Sequence, residues 1–143
     1  MIRPYKQQDK ETVLHIWLEA SIIGHAFIPR SYWEGKIDDM REIYLPQSET
    51  YIYTDTTSEK ISGFISLVGN YLAAIFVAPS CQGKGIGQAL MAHAKKLKIK
   101  LELNVYTENT QAVSFYKHQG FKIVDEQTDK ETGHNEFKMV FPQ

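Results

Sequence analysis

Phe76-Val77-Ala78-Pro79-Ser80-Cys81-Gln82-Gly83-Lys84-Gly85-Ile86-Gly87-Gln88-Ala89-Leu90 is the stretch that decides the fold. An apolar run meets a proline, crosses a glycine-rich turn and enters residues with helical spacing. Strand, turn, helix is the expected order. Glycines allow positive φ and close backbone approach, and the free N–H groups that open a helix attract an anion. A phosphate or pyrophosphate is the natural guest. Two familiar phosphate motifs fail. Lys84 is followed by Gly85, so the hydroxyl of a Walker A loop is missing. A G-x-G-x-x-G/A fingerprint would need Gly or Ala at 88 or 90, where Gln88 and Leu90 stand. The pattern that fits is Q/R-x-x-G-x-G/A, at Gln82-Gly83-Lys84-Gly85-Ile86-Gly87.

Working outward, Tyr51–Thr54 and Ile61–Val68 flank a polar turn and read as a hairpin, followed by a turn at Gly69-Asn70. Tyr71–Val77 is nearly all apolar, as expected of a strand covered on both faces. Ile86, Leu90, Ala94 and Leu97 continue at helical spacing, and Leu101, Leu103 and Val105 then alternate with Glu102 and Asn104 as in a central strand. Asn109 to Gln119 reads as a helix capped by Asn109, with Gly120 just past its end. Phe121–Asp125 and Glu136–Phe141 can pair across Thr132-Gly133. Near the N-terminus, Ile2–Pro4 suits an edge strand. Asp9 is the expected cap of a helix bearing Val13, Ile16, Trp17 and Ala20. Ser31 and Glu34 have capping-box spacing ahead of the stripe Trp33, Ile37, Met40, Tyr44. The expected class is α/β, in the order β-α-α-β-β-β-α-β-α-β-β, as one domain over residues 1–143.

Bulk properties narrow the function classes. The chain has 143 residues, 43% hydrophobic and 23% charged, with a net charge of −1. No general attraction to nucleic acid or to an anionic membrane is expected from that balance. One cysteine, Cys81, excludes an intrachain disulfide, and no apolar run reaches the ~20 residues of a membrane span. The N-terminus lacks the apolar core of a signal peptide, so a cytoplasmic location is expected. The histidines at 15, 25, 93, 118 and 134 show no ligand spacing, and no metal is expected.

A second motif, Asn109-x-x-Ala112-x-x-Phe115-Tyr116-x-x-x-Gly120-Phe121, follows the glycine turn with one strand between. The two together resemble the acetyl-CoA loop and the last helix of the GNAT (GCN5-related N-acetyltransferase) superfamily. The element order matches that family from end to end. The segment Gly24-His25-Ala26-Phe27 resembles its small bacterial YiaC- and YjaB-like branch.

The resemblance implies a sheet whose fourth and fifth strands splay, and acetyl transfer from acetyl-CoA to a primary amine in a ternary complex. It implies main-chain contacts to the pantetheine arm at Phe76 and Val77, and pyrophosphate contacts at Gln82, Gly83, Lys84, Gly85, Ile86 and Gly87. Asn109 would touch the coenzyme chain. Tyr116 would be the general acid, since a phenol of pKa ~10 keeps its proton at neutral pH. Several relatives carry a glutamate base in the fifth strand. Here Asn104 stands in that place, able to hydrogen-bond the thioester or the acceptor but not to take a proton. His25 is a candidate base or acceptor contact; Glu102, Asp129, His134 and solvent are the others. Phe27, Trp33, Tyr44 and Tyr71 are candidate acceptor walls; the helical spacing of Trp33 and Tyr44 favours core for those two, and Phe27, in a loop, has the better claim. The acceptor is left open, as is the choice between monomer and homodimer. The alternative is an acyl-CoA-binding sensor with the same fold and no turnover.

Overall fold

The computed structural model describes residues 1–142. Its elements are β1 (Ile2–Pro4), α1 (Lys10–Gly24), α2 (Arg30–Asp39), α3 (Leu45–Gln47), β2 (Glu49–Thr54), β3 (Ile61–Val68), β4 (Tyr71–Val77), α4 (Ile86–Leu97), β5 (Leu101–Tyr106), α5 (Thr110–His118), β6 (Lys122–Thr128) and β7 (Asn135–Phe141). The expected order holds, with the one-turn α3 added behind the second helix.

The strands form one sheet in the order β1-β2-β3-β4-β5-β7-β6. Neighbours are antiparallel except β4 and β5, which run parallel. Side chains alternate across a strand, so β3 serves two cores. Ile65 and Leu67 pack with Leu90, Met91 and Ala94 of α4 on one face. Phe64 packs with Val13, Leu14 and Trp17 of α1 on the other. Helices thus cover both faces, and each buried aliphatic or aromatic side chain contributes about 1.5–3 kcal/mol.

The sheet is interrupted where it matters. Ser66 pairs with Ala74 and Leu67 with Leu72, which leaves Ala73 without a partner as a β-bulge in β4. A bulge bends its strand and raises the local twist. Before it, Tyr71 pairs with Glu102 of β5, and the Glu102 amide donates to the Asn70 carbonyl at 2.9 Å. Beyond it no β4 residue is in register with β5 among the described residues. The expected splay is present.

Four local expectations need correction. Asp9 stands at the start of α1 but does not cap it. Its buried carboxylate instead accepts two bonds from Arg3, at 2.8 and 2.9 Å, and one from the Lys6 amide at 2.8 Å. A charge this buried is satisfied by a guanidinium fork rather than by exposed helix amides. Ser31 is no cap either: α2 begins at Arg30 after Pro29, and Glu34 pairs with Arg30 at 3.1 Å. Tyr44 is 51% exposed rather than core. Met40–Tyr44 form a π-turn in which the Leu45 amide reaches back five residues to the Met40 carbonyl, so the stripe rotates out of phase. Finally, β4 is covered on both faces only in part, because the bulge turns Ala73 outward.

Candidate active site

The glycine turn and α4 build one wall of a groove of about 590 Å³, and α5 builds the other through Gln111, Ser114, Phe115 and His118. Gly83 and Gly85 sit at φ +81° and +80°, and no atom lies within 4 Å of where a Cβ would stand on either. The left-handed backbone is what calls for glycine at both positions. The first helical bond of α4 runs from the Ala89 amide to the Gly85 carbonyl at 3.0 Å. The preceding amides of the turn are therefore free for an anion. No metal-holding group of His, Cys, Asp or Glu occurs among the described residues.

Val77, Gln82, Gly83, Gly85, Ile86 and Gly87 all line this groove. Lys84 does not; its side chain faces an adjoining hollow with Lys60, Ser62 and Tyr53. The Phe76 assignment also needs correction. The Ala78 amide donates to Ser62 of β3 at 2.8 Å, and Phe76 pairs with Phe64 two residues on. By the alternation of an antiparallel ladder, the main-chain groups of Phe76 point to β3, and those of Ile75 and Val77 point to the gap. The Phe76 ring packs 5.9 Å from Phe64 in the α1-side core. The Gln82 side-chain amide donates to the Val77 carbonyl at 3.3 Å, tying the turn to the strand end.

Tyr116 lies on the inner side of α5, edge-on to Phe115 and Phe121 at 5.5 and 5.7 Å. Burial, together with Tyr71 nearby, pushes its phenol well above the ordinary tyrosine range, and no hydrogen bond opposes the shift. It is a protonated donor for which no hydrogen-bond partner is found among the described residues. Asn104 is exposed on β5, opposite Lys138. It stands beside the Tyr71 hydroxyl, which burial pushes up and Asn104 pulls back.

His25 and Asn109 are brought together. The Asn109 side-chain oxygen caps α5 by accepting from the Ala112 amide at 3.2 Å. Its Nδ2 then faces His25 Nε2 at 3.3 Å, while His25 Nδ1 lies 3.0 Å from the Ser21 carbonyl. A carbonyl only accepts, so Nδ1 carries the hydrogen and Nε2 accepts from Asn109. The ring stacks on Trp33 at 4.8 Å. Its lone pair is occupied, and burial lowers its affinity for a proton against the pull of the Ser21 carbonyl. This is the environment of a tie between α1 and α5, and it opposes a role as base. The unfolded chain then binds a proton that the folded ring refuses. The His25 contribution to stability is fully present above about pH 6.5 and is lost as pH falls through the lower folded value. Thermal unfolding followed from pH 8 to 5 should show this decline, and His25→Gln should flatten it.

A second hollow, of about 540 Å³, lies on the other face of the sheet under α1 and α2. Tyr32, Trp33, Tyr71 and Tyr106 wall it, and Ala73 of the bulge forms part of its floor. Asp129 and Glu131, from the β6–β7 loop, stand at its rim with Lys36 of α2. The Tyr106 hydroxyl donates to Asp129 at 2.5 Å, and the Tyr32 hydroxyl to Glu131 at 3.0 Å. Burial works to raise Asp129, but bonds from Tyr106, the Glu131 amide and Thr132 hold it below the usual carboxylate range. His134 is turned away to Glu108 at 2.6 Å, and Glu102 pairs with Lys138 at 3.6 Å.

Residues 46–123 match the sequence profile of the acetyltransferase (GNAT) domain. The chain belongs to the GNAT acetyltransferase family. It is 39% identical over 126 residues to the peptidyl-lysine N-acetyltransferase YiaC of Escherichia coli, covering 87% of this chain and 85% of that protein. It is 33% identical to the peptidyl-lysine N-acetyltransferase YjaB of Salmonella typhimurium, over 85% of this chain and 83% of that one. The solution structure of apo YjaB from Escherichia coli superposes with a TM-score of 0.87 at 27% identity, over 99% and 97% of the two chains. This GNAT enzyme is an acetyl-CoA-dependent N-acetyltransferase. The groove fits that donor, with three glycines in its lining and free turn amides where a pyrophosphate would lie.

Sequence reasoning overlooked Tyr106, although strand alternation places it on the face of Asn104. Tyr32, Lys36 and Glu131 were also missed. Lys36 and Glu131 meet across 95 residues of sequence, with no local pattern to announce it.

Proposed function

We propose that this enzyme acetylates the side-chain amine of lysine, by direct transfer between two substrates bound on opposite faces of the sheet. The single observation that carries this reading is the aromatic hollow rimmed by Asp129, on the far side of the β4–β5 gap from the glycine groove. Tyrosine and tryptophan walls suit an aliphatic stem and a cation, and an ionised carboxylate suits its ammonium head. The names of YiaC and YjaB, peptidyl-lysine N-acetyltransferases, support the same acceptor.

The donor supplies an activated acetyl thioester. The glycine-turn amides hold its phosphates, and Ile75 and Val77 offer main-chain groups along the gap, so that the reacting carbon is fixed before the acceptor arrives. Asp129 holds the amine. Because its carboxylate is kept low, it anchors rather than deprotonates, and the amine proton leaves to water at the mouth of the hollow. Tyr116 donates its proton to sulfur as the thiolate departs. The proposed setting is the cytoplasm, with the catalytic unit a single domain over residues 1–143.

Purified enzyme, acetyl-CoA and a short lysine peptide, followed by mass spectrometry, test the reading. Acetylation is expected on the ε-amine and should vanish when norleucine replaces the lysine. Asp129→Asn should raise KM for the peptide about tenfold, the loss of one charged hydrogen bond. Donor binding without acetylation of any lysine peptide would favour the sensor alternative.

A further inference from the structure

Three charged side chains line the acceptor hollow: Asp129, Glu131 and Lys36. They are not equivalent. Lys36 Nζ lies 2.5 Å from Glu131 Oε1 and 5.7 Å from the centre of the Tyr32 ring. Glu131 is thus matched by a cation of the protein itself. Among the described residues Asp129 receives hydrogen bonds from neutral donors alone: the Tyr106 hydroxyl, the Thr132 hydroxyl at 3.2 Å and the Glu131 amide at 3.0 Å. It is the carboxylate whose charge is left over. Two carboxylates and one ammonium give the hollow a single negative charge.

We propose that Lys36 makes the acceptor hollow selective for one ammonium group, so that monoamines such as a lysine side chain are acetylated and diamines and polyamines are rejected. The inference rests on the lysine-acceptor reading above and adds the device that sets its charge limit. A first ammonium settles against Asp129 in a partly desolvated site. A second would have to approach Glu131, where Lys36 already stands. Like charges brought together in such a site repel strongly, and removing a wrong ligand by repulsion is an ordinary route to specificity. Lys36 is held in place by its ion pair and by the turns of α2 around it.

The test compares kcat/KM for Nα-acetyl-lysine amide with that for 1,5-diaminopentane and spermidine, at low and moderate salt. Wild-type enzyme should favour the monoamine. Lys36→Met leaves two negative charges, and the ratio of diamine to monoamine use should rise at least tenfold, more at low salt. Lys36→Met combined with Glu131→Gln restores a single negative charge and should return the ratio to its wild-type value. Lys36→Arg should keep it throughout. A ratio unchanged in Lys36→Met, with monoamine turnover retained, overturns the proposal. If Lys36→Met does not fold, Glu131→Gln alone decides: it frees the Lys36 charge and should cut diamine use further below monoamine use, and an unaltered ratio again overturns the proposal. Wild-type enzyme that uses none of the three amines refutes the acceptor reading instead, which separates the two failures.

Discussion

Tyr116→Phe is expected to lower kcat about 100-fold, the usual size of a lost general acid, while acetyl-CoA affinity stays close to wild type. The substitution removes one hydroxyl that has no hydrogen-bond partner among the described residues and leaves the ring between Phe115 and Phe121. Neither packing nor the α5 cap should change, so thermal unfolding should move little. Burial keeps the phenol protonated across the working range, so the activity it supports should not fall on the alkaline side before the ordinary tyrosine value. Steady-state kinetics beside calorimetric titration of acetyl-CoA separates the effects. Turnover within threefold of wild type would remove Tyr116 from the chemistry and leave it as core.

The second large effect is expected at Gly85, where Gly85→Glu should abolish measurable acetyl-CoA binding. Gly85 stands at the start of α4 with φ +80°, a conformation that costs other residues about 1–2 kcal/mol. Gly85 lines the groove, so the substitution would carry a negative charge to the rim of an anion site. Strain, bulk and repulsion act together. Calorimetric titration of the folded variant reads the result, and retained micromolar affinity would mean that the phosphates lie elsewhere. Gly85→Ala provides the graded control, carrying the strain without the charge, and should weaken binding much less.

The glycine turn and the Asn109–Phe121 segment were legible in the sequence because each is local: a few consecutive residues determine a backbone conformation and a cap. Asn109 accepts from the Ala112 amide and Gly120 takes φ +94°, as the spacing predicted. What escaped was non-local or changed the phase of a repeat. The π-turn at Met40–Tyr44 and the bulge at Ala73 each insert a single residue into an otherwise regular period, and hydropathy does not register that. Phe76 was assigned to the gap from its place at the strand end, whereas its orientation depends on pairing with β3. The hollow proposed for the acceptor draws on α2, β4, β5 and the β6–β7 loop at once, so only the fold brings its residues together.

The bulge at Ala73 has one more consequence. By parting β4 from β5 it creates a sheet edge in the middle of the molecule, with main-chain donors and acceptors that no neighbouring strand pairs among the described residues. Edge strands usually invite another strand. Under the reading proposed above, a pantetheine arm, itself built with amide bonds, lies in that gap. In the proposed complex the donor takes the place of a missing strand in the sheet. Loading it should stiffen β4 and β5 together, an ordering visible as slowed amide hydrogen exchange on both sides of the gap.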